Sequence, residues 1–392
     1  MSITKPRHAL VIGASGLAGW AVVNTLLQEY PEKGTFAKVT AVLNRPLSMK
    51  RSRWPTSSSV KFQLVTGVNL SAGSLKDSVS YLRENIPDLH TVTHVYYFAY
   101  QQQDDPAEEI KVNISMLEGV ITALNDYALG LEFLVVPTGS RAYGIYIPGG
   151  CFTPPYKESM GHVPEPERSK LHYYPMQDYL ARSSKGKSWT WCDVRPDAII
   201  GFTPNGSTFS LAAHWYNYLS LYAAVEGKGA KVPYPGVEAA YNSLFNGVSS
   251  GMIAKFSIWA SLHPEKTGNG EIFNIVDQDR PLSMETHWPV IASFFNLEGT
   301  APVEDQDPIL LRPTKYAEKN KKLLRGGNAS QLWKASWLDE YGHWSRFDRQ
   351  YSVDKLRSVG FLEECDANSS WLDTFALLKT AQEEELDHQE VE

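Results

Sequence analysis

Short, mostly apolar runs alternate with amphipathic segments over the first half of the chain. Runs of this length between turn residues are typical of buried strands. They lie at 8–12, 38–43, 61–65, 94–97, 132–136 and 191–194. Segments with helical spacing lie between them, at 17–28 and 106–124. Strands that alternate with helices predict an α/β fold with a doubly wound parallel sheet covered by helices on both faces.

The pattern changes near residue 200 to aromatic-rich helices and loops. One later strand-like run, at 271–276, is expected to return to the sheet. The sequence therefore predicts a sheet domain over 1–200 with a return segment near 240–280. A smaller, mostly helical domain is expected to contain 201–240 and 281–382.

Composition and charge exclude several classes of protein. The chain has 392 residues, 43% of them hydrophobic and 21% charged, so it is neither disordered nor fibrous. Its net charge of −7 leaves no basic excess for a duplex, and no nucleic-acid partner is expected. The three cysteines are far apart, which predicts neither a disulfide framework nor a metal site. The acidic tail at 383–392 is expected to be frayed.

Two uncharged runs, 9–28 and 198–225, raise the question of a signal peptide or a membrane span. Glycines interrupt the first run, and Gly201, Pro204 and His214 interrupt the second. A lipid-exposed helix offers no partners for such polar and broken positions. We therefore expect no membrane segment and a cytoplasmic protein.

A glycine-rich loop directly follows the first predicted strand. Gly13, Gly16 and Gly19 precede the first predicted helix, with Ser15 and Leu17 between them. Glycines in this arrangement permit a tight turn, close approach to a pyrophosphate, and a helix N-terminus directed at the phosphates. The order of strand, loop and helix predicts a dinucleotide site. An ordinary strand-to-helix turn is the alternative.

The end of the second predicted strand bears on the choice of cofactor. It carries Asn44 and Arg45 where an acid would favour NAD. A guanidinium suits the 2′-phosphate of NADP through paired charge-assisted bonds, and the hydroxyl of Ser15 could add a contact. A surface arginine is the alternative. Asn69 and Leu70, after the third strand, are candidates for the adenine, with an ordinary polar loop as the alternative.

Further motifs follow in a recognisable order. They lie at 44–46 (NRP), 93–97 (THVYY), 138–144 (TGSRAYG), 173–174 (YY), 195–204 (RPDAIIGFTP) and 271–274 (EIFN). With the glycine loop, they resemble extended short-chain dehydrogenases/reductases of the progesterone 5β-reductase/iridoid synthase-like group over about residues 8–290. The resemblance implies a Rossmann fold, a smaller substrate domain and an NADPH-dependent reduction of an enone on a small-molecule biosynthetic route. It also suggests a homodimer.

The resemblance further implies that a tyrosine at a helix start and a lysine in the Thr-Gly loop stabilise the enolate charge. These roles fall on Tyr174 and Arg141, so an arginine replaces the lysine. Arginine keeps its charge but cannot exchange a proton at working pH. Because Pro175 follows Tyr174, we expect that tyrosine at the cap of a helix over 175–181. Tyr173 and Tyr143 are rival candidates.

Other candidates surround the expected nicotinamide and substrate. The resemblance implies contacts of Thr138 and Ile199 with the nicotinamide half of the cofactor. His172 could tune the adjacent tyrosines or be structural. An aromatic wall for a bulky apolar substrate, or plain core packing, is predicted from the stretch that begins at Phe209. The substrate candidates are Tyr100, Tyr143, Phe202 and Trp215.

Other functions stay open at this point. The exchange of lysine for Arg141 also fits carbonyl reduction, or a non-redox isomerase or cyclase that retains the cofactor site. An NADP-sensing regulatory protein with an idle Tyr174 is the alternative outside enzymology. The sequence contains no Gly-x-Ser-x-Gly elbow, so a serine hydrolase is not expected.

Overall fold

The computed structural model describes residues 6–303, 312–323 and 334–389, with side chains up to Glu384. Its strands are β1 (His8–Ile12), β2 (Lys38–Val42), β3 (Lys61–Val65), β4 (His94–Tyr97), β5 (Phe133–Pro137), β6 (Thr190–Pro196), β7 (Ile199–Ile200), β8 (Lys231–Pro233), β9 (Val248–Ser249), β10 (Glu271–Ile275) and β11 (Glu298–Thr300). Among the described residues, seven strands form one sheet in the order β3-β2-β1-β4-β5-β6-β10, with every pair parallel.

The helices connect these strands and build the smaller lobe. They are α1 (Leu17–Leu27), α2 (Met49–Ser52), α3 (Leu75–Asn85), α4 (Pro106–Tyr127), α5 (Tyr173–Ser184), α6 (Leu211–Glu226), α7 (Glu238–Asn242), α8 (Ser250–Ser261), α9 (Pro264–Thr267), α10 (Met284–Ser293), α11 (Pro313–Lys319), α12 (Tyr341–Trp344), α13 (Asp354–Ser358) and α14 (Ala367–Gln389). No helix in the described ranges is both long and apolar enough to cross a membrane.

Two hydrophobic cores explain why the sheet strands are apolar. Helices α1 and α8 pack on one face of the sheet, and α3, α4 and α5 pack on the other. Strands buried on both faces read as continuous apolar runs. The predicted doubly wound fold is confirmed. The predicted return strand is confirmed too, because β10 pairs with β6 in the register Phe273 to Val194.

Helix α5 begins two residues before its predicted start. Tyr174 lies inside the first turn, and Pro175 is the third helical residue. The expectation that Tyr174 caps the helix is therefore wrong. The first N–H groups of a helix have no intrahelical acceptor, so a proline there removes no hydrogen bond. Tyr173 and Tyr174 therefore both belong to the helix, and their side chains point in different directions.

The C-terminal lobe has an aromatic core of its own. Trp215 stacks on Trp371 at a centroid distance of 5.1 Å and meets Trp288 edge-on at 5.4 Å. The last helix closes this core and continues to Gln389. Fraying of the acidic tail stays a prediction. An ion pair between Arg53 and Glu384, at 2.8 Å, holds this end of the helix to the sheet domain.

Candidate functional site

A cleft of about 750 Å³ opens at the carboxyl ends of the sheet strands. Gly16, Ala99 and Gly139 line it from the loops after β1, β4 and β5. The strand order reverses between β1 and β4, which is where open parallel sheets bind ligands. The smaller lobe contributes Trp337 and Tyr341 to the opposite wall. The cleft is therefore the candidate active site.

The glycine turn forms the wall of this cleft at β1. Gly13 has a φ of 81°, and a Cβ there would lie 2.6 Å from the backbone of Ala99. A Cβ on Gly19 would lie 2.2 Å from the carbonyl oxygen of Gly13, so α1 can pack here only without a side chain. Gly16 caps α1 without a side-chain hydrogen bond, and Leu17 begins the helix. Gly16 and Leu17 line the cleft and present an open helix N-terminus, which fits a dinucleotide pyrophosphate.

Arg45 lies at one end of the cleft. Its Nη1 and Nη2 atoms donate hydrogen bonds of 3.0 and 3.1 Å to the carbonyl oxygens of Asn205 and Gly206. These bonds connect the end of β2 to the loop after β7. Ser15 is buried, and its carbonyl oxygen accepts a 2.7 Å hydrogen bond from the hydroxyl of Thr203.

The other predicted adenosine contacts lie outside the lining of the cleft. Asn44 is exposed beside Arg45. Asn69 uses its side-chain oxygen within its own turn, accepting from the amide and hydroxyl of Ser71 at 3.1 and 2.8 Å. Leu70 packs against the core on the α3 face of the sheet. The structure therefore brings Arg45 to the cleft, but not Asn44, Asn69 or Leu70.

Thr138 and Ile199 both line the cleft. The hydroxyl of Thr138 donates a 2.8 Å hydrogen bond to the buried carboxylate of Asp193 and accepts one of 3.2 Å from Arg195. Burial raises the pKa of Asp193, against the opposing effects of Arg195, Thr138 and Gln177. The sequence does not predict this network, although an acid inside the apolar strand β6 is a signal for it. It fixes the end of β5 beneath the cleft.

Tyr173, not Tyr174, faces the cleft. Its hydroxyl lies 3.1 Å from where a Cβ on Gly139 would be, so the phenol reaches over the loop after β5. The hydroxyl of Tyr174 instead accepts a 3.2 Å hydrogen bond from the amide of Val163, and its ring lies 4.2 Å from that of His162. Successive helical residues point in different directions, so one tyrosine enters the cleft and the other packs beside it.

The Tyr173 hydroxyl is held in its protonated form. Burial raises the pKa of Tyr173 to about 12, while the nearby Arg141 acts in the opposite direction. Arg141 lies in the 3₁₀ turn Ser140–Tyr143 and lines the same cleft. Its Nη1 atom is 3.5 Å from Oε1 of Glu109, and its guanidinium is 5.4 Å from the centre of the Tyr146 ring. The cleft thus holds a neutral donor and a fixed positive charge.

Three of the four predicted substrate contacts are wrong. Tyr143 is fully buried and donates a 2.7 Å hydrogen bond to Asn274. Phe202 packs edge-on against Trp20 at 5.0 Å, in the core beneath α1. Trp215 is buried at the centre of the C-terminal core. Burying these rings removes more apolar surface from water than exposing them in a cleft would.

An aromatic rim closes the outer side of the cleft. Tyr100, the fourth predicted substrate contact, lines it together with Phe209 and Trp337. Their rings meet edge-on, Tyr100 with Phe209 at 5.8 Å and Phe209 with Trp337 at 5.6 Å. Each of the three is 38–43% exposed, unusually high for rings of this size. The sequence does not predict Trp337, because nothing near it in the chain indicates a contact with the cleft.

The described ranges contain no group of three or more His, Cys, Asp or Glu side chains that could hold a metal ion.

The family follows from the whole length of the chain. A family model described as a PRISE-like Rossmann-fold domain matches residues 9–382. The chain belongs to this PRISE-like family. The resemblance drawn from the sequence motifs is therefore confirmed.

Several curated PRISE-like relatives match nearly the full chain. The short chain dehydrogenase ausT of Aspergillus calidoustus is 32% identical over 94% of this chain and 92% of its own length. The short chain dehydrogenase sirQ of Leptosphaeria maculans is 33% identical, covering 93% of each chain. A 3-oxo-Delta(4,5)-steroid 5-beta-reductase of Arabidopsis thaliana is 27% identical, covering 95% of this chain and 92% of its own.

Solved structures agree with the PRISE-like fold. The UDP-N-acetylglucosamine 4-epimerase of Methanobrevibacter ruminantium M1 has a TM-score of 0.60, with 12% identity, 96% coverage of this chain and 99% of its own. This likeness shows the fold alone. The PRISE-like relatives support an oxidoreductase that uses a nicotinamide cofactor and acts on a small molecule.

Proposed function

We propose that the protein is an NADPH-dependent reductase of the carbon–carbon double bond of a bulky, apolar enone. The observation that carries the proposal is the meeting of Tyr173 and Arg141 in one cleft with the glycine turn. A buried neutral donor and a fixed cation are the groups that an oxygen needs when it gains negative charge.

The chemistry is divided between cofactor and protein. A bound reduced nicotinamide supplies the hydride for the β-carbon of the enone. As that C–H bond forms, the π electrons move toward the carbonyl oxygen. The hydroxyl of Tyr173 donates a hydrogen bond to this oxygen, since a pKa of about 12 keeps its proton in place at neutral pH. Arg141 stabilises the same charge electrostatically, without giving up a proton.

The residues at each end of the cleft support the choice of cofactor and substrate. The two carbonyl oxygens that accept hydrogen bonds from Arg45 fix its guanidinium, which suits a 2′-phosphate. The side chains of Tyr100, Phe209 and Trp337 are partly exposed at the cleft and suit a bulky apolar substrate.

The proposal is tested by the loss of NADPH absorbance against a panel of small and bulky enones and ketones, with NADH in parallel. We expect consumption that depends on enone and NADPH, and a product with a saturated C–C bond. An alcohol product would favour the carbonyl reductase. An isomerised or cyclised product without net consumption would favour the non-redox alternative. Tight NADPH binding with no turnover would favour the sensor.

A further inference from the structure

A second depression, of about 320 Å³, lies beside the cleft. Gln102, Asp104 and Lys170 line its outer side. Between the two hollows stands a partition of four side chains that line both. These are Tyr100, Arg141, Phe209 and Trp337. The two hollows therefore share a wall.

A carboxylate and an imidazole meet inside this wall, and each faces a different hollow. Glu109, in the first turn of α4, lines only the outer depression, whereas His172, at the N-cap of α5, lines only the cleft. Oε1 of Glu109 lies 3.4 Å from Nδ1 of His172. Their side chains are 7% and 10% exposed. Of this buried pair, only the imidazole can reach a molecule in the cleft.

Glu109 is held as a carboxylate. Burial alone would raise the pKa of Glu109, but His172, Tyr100 and Arg141 together hold it below its usual value. Because Nδ1 lies beside the carboxylate, Nε2 is the ring nitrogen left to contact a molecule in the cleft, which His172 lines. The His172 ring stacks on Tyr100 at 5.3 Å and meets the Tyr173 ring at 4.8 Å, which fixes its plane beside the proposed site of reduction.

Reduction of an enone consumes a proton as well as a hydride, and the groups in the proposed function do not readily supply one. Arg141 cannot release its proton at working pH. The hydroxyl of Tyr173, with a pKa of about 12, can donate a hydrogen bond but is a weak acid at neutral pH. An imidazole, in contrast, gains and loses protons near neutral pH.

We propose that His172, held by Glu109, donates the proton that completes the reduction. This inference rests on the proposed enone reductase. Hydride from the reduced nicotinamide forms the C–H bond at the β-carbon, and the π electrons pass to the oxygen as an enolate. The N–H bond at Nε2 of the His172 imidazolium then breaks while a C–H bond forms at the α-carbon. The neutral imidazole regains its proton from water once product leaves. Glu109 is a positioning residue, whose carboxylate lies 3.4 Å from Nδ1 and stabilises the imidazolium electrostatically.

The test compares His172→Gln and Glu109→Gln with two matched controls. Glu108→Gln changes the preceding, half-exposed carboxylate of α4, and His90→Gln changes an exposed histidine before β4. The charged and titratable groups that face the pair are Tyr100, Arg141 and Tyr173. Both controls keep these three groups, the Glu109–His172 pair itself and Lys170. The readouts are kcat as a function of pH, and the NADPH dissociation constant from cofactor fluorescence.

In the wild type, we expect kcat to fall as pH rises, because the proton donor must carry its proton. His172→Gln should lower kcat about 100-fold and remove this fall, since a general acid contributes about 10²–10⁴-fold. Glu109→Gln should lower kcat about tenfold and move the fall to lower pH, because the imidazolium loses its partner. The NADPH dissociation constant of both variants should stay within about twofold of the wild-type value. Unchanged binding also verifies that the variants are folded.

The inference is overturned if His172→Gln binds NADPH but keeps kcat within threefold of wild type and an unchanged pH profile. If His172→Gln fails to bind NADPH, the test depends on Glu109→Gln. The inference is then overturned if kcat of Glu109→Gln has the same pH dependence as kcat of the wild type. A wild type that consumes NADPH with no enone overturns the proposed function, and this inference with it. If the wild type reduces the enone and both variants behave like the wild type, the inference is overturned while the proposed function stands.

Discussion

The two walls of the cleft are built in different ways. The wall at β1 is made of backbone, because a side chain on Gly13 or Gly19 would collide with main-chain atoms. The other wall is the aromatic rim, made of the Tyr100, Phe209 and Trp337 side chains, which come from three distant segments. A backbone surface requires glycine at fixed points, whereas a side-chain surface changes with every substitution. We therefore expect the first wall to determine cofactor binding and the second to determine substrate choice.

The largest effect is expected at the backbone wall. In Gly19→Ala, the new methyl group would lie 2.2 Å from the carbonyl oxygen of Gly13, so α1 must move away from the turn. Overpacking of about 1–3 kcal/mol should weaken NADPH binding by up to about 100-fold. The control is Gly161→Ala, where no atom lies within 4 Å of the new methyl group. Fluorescence titration with NADPH measures both, and equal affinities would contradict the backbone account.

The next effect separates two adjacent tyrosines. Tyr173→Phe should lower kcat about 100-fold while leaving NADPH affinity unchanged, because it removes one donor to the developing charge. Tyr174→Phe is the matched control and should stay within about threefold, since it loses only one neutral hydrogen bond, that from Val163.

The pH dependence sharpens this comparison. A tyrosine that acts as a donor works below its pKa and fails above it, and burial raises the pKa of Tyr173 to about 12. The ratio of wild-type to Tyr173→Phe rates should therefore be constant from pH 6 to pH 10, a range chosen to lie below that pKa. A ratio that falls between pH 8 and pH 10 would show that the hydroxyl titrates there, contrary to its burial.

A smaller effect is expected at the end of the backbone wall that carries Arg45. Arg45→Ala removes a cation that would pair with the 2′-phosphate, and charged hydrogen bonds contribute about 1.5–3 kcal/mol. NADPH affinity should fall about tenfold or more, while NADH affinity should hardly change. Parallel titrations with the two cofactors measure this ratio. An equal loss for both would mean that Arg45 acts only by holding the loop that contains Asn205 and Gly206.

The smallest effect is expected at the side-chain wall. Trp337→Ala removes an exposed ring from the aromatic rim, and kcat/KM for a bulky enone should fall about fivefold relative to a small one. NADPH binding should be unaffected. The control is Leu129→Ala, which removes an 80% exposed side chain that does not line the cleft. A similar loss for small and bulky enones would contradict a role in substrate choice.

The sequence predicts the backbone wall better than the side-chain wall. The glycine turn is a local pattern, so Gly13, Gly16 and Gly19 can be identified from the sequence without knowledge of the fold. The aromatic rings are not, because the sequence cannot tell whether a ring such as Trp215 packs inward or lines a cleft. Trp337 reaches the rim only through folding of the C-terminal lobe.

The choice between the two tyrosines depends on helix phase. Pro175 indicates a helix start near Tyr174, but the start at Tyr173 decides which ring enters the cleft. A shift of one residue turns a helical side chain by about 100°. The sequence does not reveal the role of Glu109 either, since an acid in a first helical turn is ordinarily a solvated residue. Its burial comes from Tyr100, in the loop that directly precedes α4, and from Arg141 and His172, which are far away in the chain.

The most direct test of the account follows the hydride itself. Wild-type protein is incubated with NADPH that carries deuterium at the transferable C4 position and with a bulky cyclic enone, and the product is analysed by mass spectrometry and NMR. The account predicts a saturated ketone with one deuterium at the β-carbon. Deuterium at the former carbonyl carbon, or a product without deuterium, would contradict it.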